Sequence, residues 1–475
     1  MRKLFIALTA FFFFQNANSQ TRFVLHDINV VDVKEGVIRS HQVVIFEEDR
    51  IKQIVALNKY RKSERDSIIS AKGKYVLPGL WDMHTHVWMA DSFFPLFLAN
   101  GVTGFRDMFG VVQQLQTWRK AIAKGNKTYP DFYFSGPIVD GLKPIWPGSV
   151  EVTNIDQAKR AVDSIKNILK TDFVKVYALL SPESYFAIAE ECKRLKFDFV
   201  GHVPNQVTVL QAANAGQKCQ EHLTGILEIA SDSSDLYYKV VRAQAGDTVK
   251  TLWNTDTFLL NRLERRKMLV RTFNIEKLKS VAKELAAKQT WICPTMVVNY
   301  NIANLDDSLM AADSRMKYIM SFMKGFWDPK QDFRFKSATK EYFNVGRMEF
   351  EKKMKCISVL HAAGVKMLAG TDTPNPYCFP GFSLHDELEW FVKAGLSPAD
   401  ALRTATINPA IYFSEEKNFG TVEIGRIASL LVLDKNPLED IRNTTSIQMV
   451  ILRGSIMDRK KLDEMLDKVR TQALQ

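Results

Sequence analysis

Cysteine is scarce in this chain, and its spacing excludes two kinds of stabilised domain. Only five cysteines occur among 475 residues, and no two of them have the C-x-x-C spacing. An odd, widely spaced set indicates neither a disulfide framework nor a cysteine-based zinc site. The length of the chain instead allows one large domain and a smaller one, each with a hydrophobic core.

Long apolar runs are missing after the first twenty residues, which excludes a membrane-spanning helix in the body of the chain. The beginning differs, because Arg2 and Lys3 precede the apolar run LFIALTAFFFF and small residues follow at Ala17 and Ser19. This order is typical of a secretory signal peptide, residues 1–19, cleaved after Ser19. We therefore expect a periplasmic or secreted protein without a stable membrane anchor. A buried N-terminal segment or an anchor is the alternative.

The chain also lacks the aromatic-interleaved basic stripe that is typical of nucleic-acid binding, although its formal net charge is +11. The basic residues are scattered, and the local cluster in KSATKEYFNVGRMEFEKKMK suits a solvated helix face. No nucleic-acid partner is expected, whereas a homo-oligomer is compatible with the sequence. The positive surplus favours anionic substrates or surfaces.

Short alternating strand patterns occur at both ends of the chain. FVLHDINVVDV and VIRSHQVVIFEEDRIKQIVAL lie near the N-terminus, and GTVEIGRIASLLVLD and SIQMVILRGSIM lie near the C-terminus. This texture predicts a small composite β-sandwich domain built from residues 20–77 and 414–475.

Between residues 78 and 413, strand-like and helical stretches alternate, as in βα units around a parallel sheet. Ser181-Pro182 and Ser397-Pro398 are typical helix starts. The eight candidate strands are GLWDMHTH, GVTGFRDM, DFYFSGPI, DFVKVYAL, DFVGHV, KCQEHL, TWICPTMVV and VKMLAGTD. Eight is the strand count of a (β/α)8 TIM barrel, so the predicted fold class is α/β with that barrel.

Two connections in this central region are longer than a barrel helix requires. They lie between His222 and Trp291 and between Val298 and Val365, and both carry charged and aromatic residues at helical spacing. We interpret them as helical insertions over the mouth of the barrel, with extra packed helices as the alternative.

Histidine is infrequent as well, but four of the eight histidines lie near the ends of strand-like runs. His84 and His86 close VLPGLWDMHTH, and side chains two apart on a strand share a face. His202 and His222 end FDFVGH and GQKCQEH, and Asp372 follows the run MLAGT. A lone HxH pair is weak evidence, but four histidines and a carboxylate at successive strand ends predict a metal site at one barrel mouth.

These motifs resemble the amidohydrolase superfamily of metal-dependent hydrolases, in particular its imidazolonepropionase-like and prolidase-like branch. The resemblance covers nearly the whole chain after the signal peptide and is carried by VLPGLWDMHTH, GVTGFRDM, GHVPNQVTVLQAANAGQKCQEHLTG, LAGTDTP and LSPADALRTATINPAIYF. Two positions depart from the family pattern: Gly104 stands where threonine is usual, and Ser429 stands where aspartate is usual.

The resemblance implies two divalent metal ions, with zinc expected, which would lower the pKa of a bridging water. The implied ligands are His84, His86, Lys175, His202, His222 and Asp372. The first two histidines would bind one ion and the last two the other. Lys175, in TDFVKVYALL, would bridge them as a CO2-derived carbamate; an outward-pointing lysine is the alternative. Asp372 would also be the catalytic base and acid.

Two further residues are candidates for substrate binding. Tyr177 lies two residues after Lys175 and therefore on the same strand face, where its hydroxyl could contact substrate or simply pack. Arg106, at the end of the second strand, could bind a substrate carboxylate or form a structural ion pair.

The predicted function is amide-bond hydrolysis by an exported binuclear enzyme. The expected substrate is a small peptide or N-acyl amino acid, as for a prolidase-like dipeptidase. A cyclic amide or lactone hydrolase is the alternative. A catalytically silent binding protein on the same fold is a further alternative, which the complete set of ligands disfavours.

Overall fold

The computed structural model of the protein describes residues 22–244 and 256–474. The predicted signal peptide lies outside the described residues. The strands are β1 (Arg22–Asp32), β2 (Val37–Glu47), β3 (Arg50–Ala56), β4 (Asp66–Ser70), β5 (Tyr75–Pro78), β6 (Leu80–Thr85), β7 (Val102–Asp107), β8 (Asp131–Phe134), β9 (Ile138–Asp140), β10 (Val150–Glu151), β11 (Val174–Val176), β12 (Phe199–Gly201), β13 (Cys219–Glu221), β14 (Trp291–Cys293), β15 (Lys366–Met367), β16 (Leu430–Leu433), β17 (Ile447–Leu452) and β18 (Ser455–Asp458).

The α-helices are α1 (Ala90–Ala99), α2 (Val112–Ala123), α3 (Ile155–Asp163), α4 (Pro182–Leu195), α5 (Val209–Asn214), α6 (Ile226–Ile229), α7 (Ser234–Gln244), α8 (Asp256–Arg271), α9 (Ile275–Ala287), α10 (Met296–Ala303), α11 (Ser321–Trp327), α12 (Lys340–Ala362), α13 (Phe382–Lys393), α14 (Pro398–Thr404), α15 (Ile407–Phe413) and α16 (Arg459–Gln472). Ser181 and Ser397 cap α4 and α14, as predicted. Within the described ranges, none of these helices combines the length and apolar character needed to cross a bilayer.

The central strands are parallel and form two sheets, so the fold is mixed α/β. One sheet has the order β6-β7-β8, and the other has the order β10-β9-β11-β12-β13-β14-β15. Backbone hydrogen bonds join the sheets at both edges: Met83 N–H donates to the Ala369 carbonyl at 2.8 Å, and Asp172 N–H donates to the Phe134 carbonyl at 3.0 Å. Each of the eight predicted central strands is present, and in parallel strands the carboxyl ends lie on one side.

The predicted strand TWICPTMVV is too long and needs correction. β14 ends at Cys293, and α10 begins at Met296, because Thr295 turns the backbone into the left-handed region with φ 48°. The buried Glu387 carboxylate accepts hydrogen bonds from the N–H groups of Met296 and Val297 at 2.9 and 2.7 Å. It thereby satisfies two amides that have no partner within the helix, which an apolar sequence pattern does not reveal.

Strands from the two chain ends form one β-sheet. Its eight strands have the order β18-β17-β16-β5-β1-β2-β3, and β4 also pairs with β1, so the sheet branches there. β5 and β16 are antiparallel partners and connect the N-terminal and C-terminal parts. On β16, Leu430 and Val432 lie in the core of this unit, whereas Leu431 and Leu433 lie in the main core. The sheet therefore buries both faces, because neighbouring side chains on a strand point in opposite directions.

Both long connections contain helices, some of which border a cavity and some of which pack into the core. α7 and α8 line a large cavity beside the ends of the central strands. α9 instead contributes buried side chains such as Leu278 to the main core, and α12 does both, because Ile357 lies in the core and Lys353 lines the cavity. The insertions therefore combine packed helices with helices that border the mouth.

Gly104 lies in the sheet beside Trp81 of the neighbouring strand. A Cβ atom at Gly104 would lie 2.2 Å from the Trp81 ring, which itself stacks on Phe419 with ring centroids 4.4 Å apart. The contact explains why glycine replaces the threonine that is usual in the GVTG motif.

Gly104→Thr should destabilise the protein by about 1–3 kcal/mol, because the added atoms force a packed ring to move. Trp81→Leu in the same chain should recover part of the loss, since residues in contact are not additive. Urea denaturation measures both effects, with Gly325→Ala as a control at a position where the nearest atom is 3.5 Å away. A Gly104→Thr variant as stable as the wild type would contradict the packing argument.

Candidate metal centre

His84 lies at the end of β6 and is fully buried. Its Nδ1 lies 2.8 Å from Oε2 of Glu221, and its Nε2 lies 3.3 Å from Oδ1 of Asp372. The Glu221 carboxylate favours the tautomer with the proton on Nδ1, so the lone pair of Nε2 points towards Asp372. A carboxylate behind an imidazole is the usual arrangement of a metal-binding histidine.

Asp372 connects His84 with two other predicted histidines. Its Oδ1 lies 3.0 Å from Nε2 of His86, and its Oδ2 lies 3.8 Å from Nδ1 of His222. The HxH pair therefore shares one carboxylate oxygen, as a common strand face predicts, although His86 lies just beyond the end of β6.

Lys175 points into the same group from β11. Only 1% of its surface is exposed, and its Nζ lies 3.4 Å from Nε2 of His84. The alternative of an outward-pointing lysine is therefore wrong. Burial lowers the pKa of Lys175 to about 8, and formation of a carbamate requires the neutral amine.

His202 completes the convergence from β12. Its ring centroid lies 4.7 Å from that of His222 and 4.0 Å from that of Tyr177. The Tyr177 hydroxyl accepts a hydrogen bond from Trp146 Nε1 at 2.9 Å, which leaves its own proton free for another acceptor. Burial raises the pKa of Tyr177, so the hydroxyl remains a donor.

These donor groups fit a divalent metal. The ligand atoms of His84, His86 and Asp372 all lie within 4.8 Å of one another. Burial holds the pKa of both His84 and His202 well below the usual value, so these imidazoles are neutral and can donate a lone pair. Among the described residues, the buried Nδ1 of His86 has no hydrogen-bond partner.

The backbone around the site is held in an uncommon conformation. His222, Thr295 and Asp372 have positive φ angles of 63°, 48° and 59°, and each follows the end of a central strand. The Thr295 hydroxyl lies 2.7 Å from His222 Nδ1. Non-glycine residues adopt this conformation only where their surroundings enforce it, which occurs most often at functional sites.

Arg106 requires a correction, because it lies where no substrate carboxylate can reach it. Its side chain is fully buried, and Nη2 lies 2.8 Å from Oε1 of Glu221. Nε donates to the Met83 carbonyl at 2.6 Å, and Nη1 donates to the Tyr412 hydroxyl at 3.0 Å. Every guanidinium nitrogen therefore contacts another group. Arg106 therefore forms a structural ion pair, the alternative given by the sequence, and its partner is Glu221.

Sequence reasoning misses two buried carboxylates. Glu221 directly precedes His222 and links Arg106 to His84. Asp82 accepts hydrogen bonds from the Thr371 hydroxyl at 2.6 Å and the Thr371 N–H at 3.0 Å, which ties β6 to the segment that carries Asp372. For both carboxylates, the signal in the sequence was a charged residue within a predicted strand, one or two positions before a candidate ligand.

Comparison with known proteins agrees with this geometry. The model of the amidohydrolase family matches residues 75–457. A bottromycin amidohydrolase superposes with a TM-score of 0.72 at 19% identity, covering 96% of this chain and 91% of that one. A Xaa-Pro dipeptidase with methionine bound in its active site has a TM-score of 0.65 at 16% identity, covering 92% of this chain and all (100%) of that one.

Two further matches are more limited in what they establish. A protein of Bifidobacterium longum, provisionally described as a prolidase, has a TM-score of 0.63 at 21% identity over 94% of this chain and 99% of that one. A curated protein of Picrophilus torridus, provisionally described as an adenine deaminase, is 31% identical over 94 residues, which is 20% of this chain and 15% of that protein. The structural matches at these identities establish the fold, and the short curated match spans a small part of its relative.

The family match covers more than half of the chain, and it contains the whole convergent group of histidines, lysine and aspartate. The resemblance that the motifs indicated is therefore confirmed. The chain belongs to the amidohydrolase family.

Proposed function

We propose that this protein is an exported, two-metal amidohydrolase that cleaves an amide bond in a small peptide or N-acyl amino acid, as a prolidase-like dipeptidase does. The observation that carries the proposal is the convergence of the six predicted donor residues at the carboxyl ends of the central strands. His86, Lys175 and His222 approach His84 or Asp372, and the His202 ring packs against that of His222. The hydrogen bonds at both sheet edges support a closed (β/α)8 barrel around this site.

His84, His86 and Asp372 would hold one ion. His202 and His222 would hold the second, with Lys175 between the two as a carbamate. Divalent ions bound here, which we propose to be zinc, supply polarisation of the scissile carbonyl and a water with a lowered pKa.

Side chains of the protein would carry out the proton transfers of the reaction. Asp372 accepts the proton of the attacking water and returns it to the leaving amine. The free hydroxyl proton of Tyr177 is available to the carbonyl oxygen of the substrate, because Trp146 already occupies the acceptor side of that hydroxyl.

The substrate class is supported by less direct observations. Structures that superpose on this chain include one described as a dipeptidase and one described as a prolidase. Export is part of the proposal because of the basic and apolar N-terminal sequence. The retained ligand set argues against a silent binding protein, and a cyclic amide or lactone remains the alternative substrate.

A substrate panel tests the proposal. The zinc-loaded protein should hydrolyse short peptides or N-acyl amino acids faster than cyclic amides and lactones, as measured by chromatography of the products. Asp372→Asn is the control: turnover should fall by about two orders of magnitude or more, because an amide cannot accept the proton. Metal content should fall much less.

A panel in which only lactones or cyclic imides react would overturn the substrate class. Near-normal turnover of the Asp372→Asn variant would place the proton carrier elsewhere, with Tyr177 as the next candidate.

Lys175→Ala should remove one of two bound ions and most of the activity, because the bridging ligand is lost. A small added carboxylate should restore part of the activity by replacing the carbamate. Elemental analysis measures the ion content, with the exposed Lys193→Ala as the matched control. One ion per chain in the wild type, unchanged by the substitution, would contradict the carbamate proposal.

Glu221→Gln should weaken metal binding by about tenfold to a hundredfold, because the amide no longer holds His84 in the required tautomer as firmly. The melting temperature should also fall, since Arg106 loses its anionic partner. Competition with a chelator measures the affinity, and Glu190→Gln on the exposed side of α4 is the control. An unchanged affinity with a lowered melting temperature would show that Glu221 serves Arg106 alone.

A further inference from the structure

A cavity of about 850 Å³ adjoins the proposed metal centre at His202. It is lined by the loops that follow β9, β11, β12 and β13 and by the helices α7, α8 and α12. Sites for small molecules usually measure about 300–1,000 Å³. The cavity therefore has room for a substrate that extends well beyond the amide bond at the metal centre.

The lining of this cavity is basic. Its charged residues are Lys143, Arg262, Arg265, Arg266 and Lys353 on the positive side and Glu228 and Glu349 on the negative side. Glu349 is already neutralised, because its carboxylate lies 2.7 Å from Arg266 Nη2. Burial raises the pKa of Glu228 and lowers that of Lys353, which disfavours the charged form of both. Lys143 and the three arginines still outnumber Glu349, so the charge of the lining is positive.

Arg265 lies on α8 in the lining of this cavity. Its Nη1 donates to the Gln244 amide oxygen at 2.8 Å, and among the side chains described at 22–244 and 262–474 it forms no ion pair with a carboxylate. The side chain is half-buried, and burial lowers the pKa of its guanidinium. A partly desolvated cation without an anion is costly, and a guanidinium has five donors in a fork that matches a carboxylate.

We propose that this cavity binds the part of the substrate remote from the scissile amide and that Arg265 selects a carboxylate there. The preferred substrates are then peptides or N-acyl amino acids with an acidic side chain or acidic acyl group. The inference rests on the proposed function, because the cavity is a subsite of the same metal centre.

Isosteric substrate pairs test the proposal. The zinc-loaded wild type is given short peptides that differ only in glutamate or glutamine beside the cleaved bond, on either side of it. The glutamate member should have a kcat/KM about tenfold higher or more, since a charge-assisted hydrogen bond distinguishes the two. Arg265→Gln should abolish this ratio, mainly by raising KM for the glutamate peptide, and should leave the metal content unchanged.

Two variants separate charge recognition from folding. Arg265→Lys keeps the charge and should retain part of the preference. Arg271→Gln removes the same charge from the exposed end of the same helix, outside the cavity lining, and should change neither peptide.

The outcomes distinguish this inference from the proposed function. Equal rates on both peptides, or an Arg265→Gln variant that weakens both equally, would overturn the role of Arg265 and leave the peptidase intact. A wild type that cleaves no member of any pair while retaining its two ions would overturn the peptide-hydrolase proposal together with the inference.

Discussion

Arg106, Glu221 and His84 form a buried chain of hydrogen bonds beneath the site, and the geometry above it depends on this chain. Both Arg106–Glu221 and Glu221–His84 contacts measure 2.8 Å, and all three side chains are fully buried. In so poorly solvated a position, removing either charged partner leaves the other uncompensated at a cost of about 3–5 kcal/mol. The chain therefore holds His84 in one orientation, and His84 in turn contacts both Asp372 and Lys175.

Other buried carboxylates extend this support around the strand ends. Asp82 links β6 to Thr371, and Glu387 holds the start of α10, where Thr295 contacts His222. His84 and His222 are thereby each placed by the end of a strand and by a second polar contact, from Glu221 and Thr295. A site built in this way needs little rearrangement to bind an ion, which is the condition for high affinity and for catalysis.

The described structure divides its functions between strands and insertions. The strand ends supply the candidate donor atoms, whereas α7 and α8 border the adjoining cavity, to which α8 contributes three arginines. The chain's overall positive charge thus includes a local excess beside the reaction centre. Variation of such helices changes substrate choice without disturbing the strands, a property of barrel-type folds in general.

The sequence by itself determined the elements and the ligand types. Apolar runs marked the eight central strands, Ser181 and Ser397 marked helix starts, and the strand-end histidines with Asp372 marked the candidate site, because strand periodicity and capping are local properties. Lys175 was added by the family resemblance. Only the tertiary structure decided the partners. Arg106 and Glu221 are 115 residues apart, and Glu221 and His84 are 137 apart, so local pattern reports that such a side chain is buried but not what it contacts. The end of β14 before Thr295 depends on Glu387 from a distant helix. The position of Arg265 in the cavity that His202 also lines depends on the placement of α8. Hydrogen-bond partners that join the two central sheets are distant in sequence, so only the folded chain specifies them.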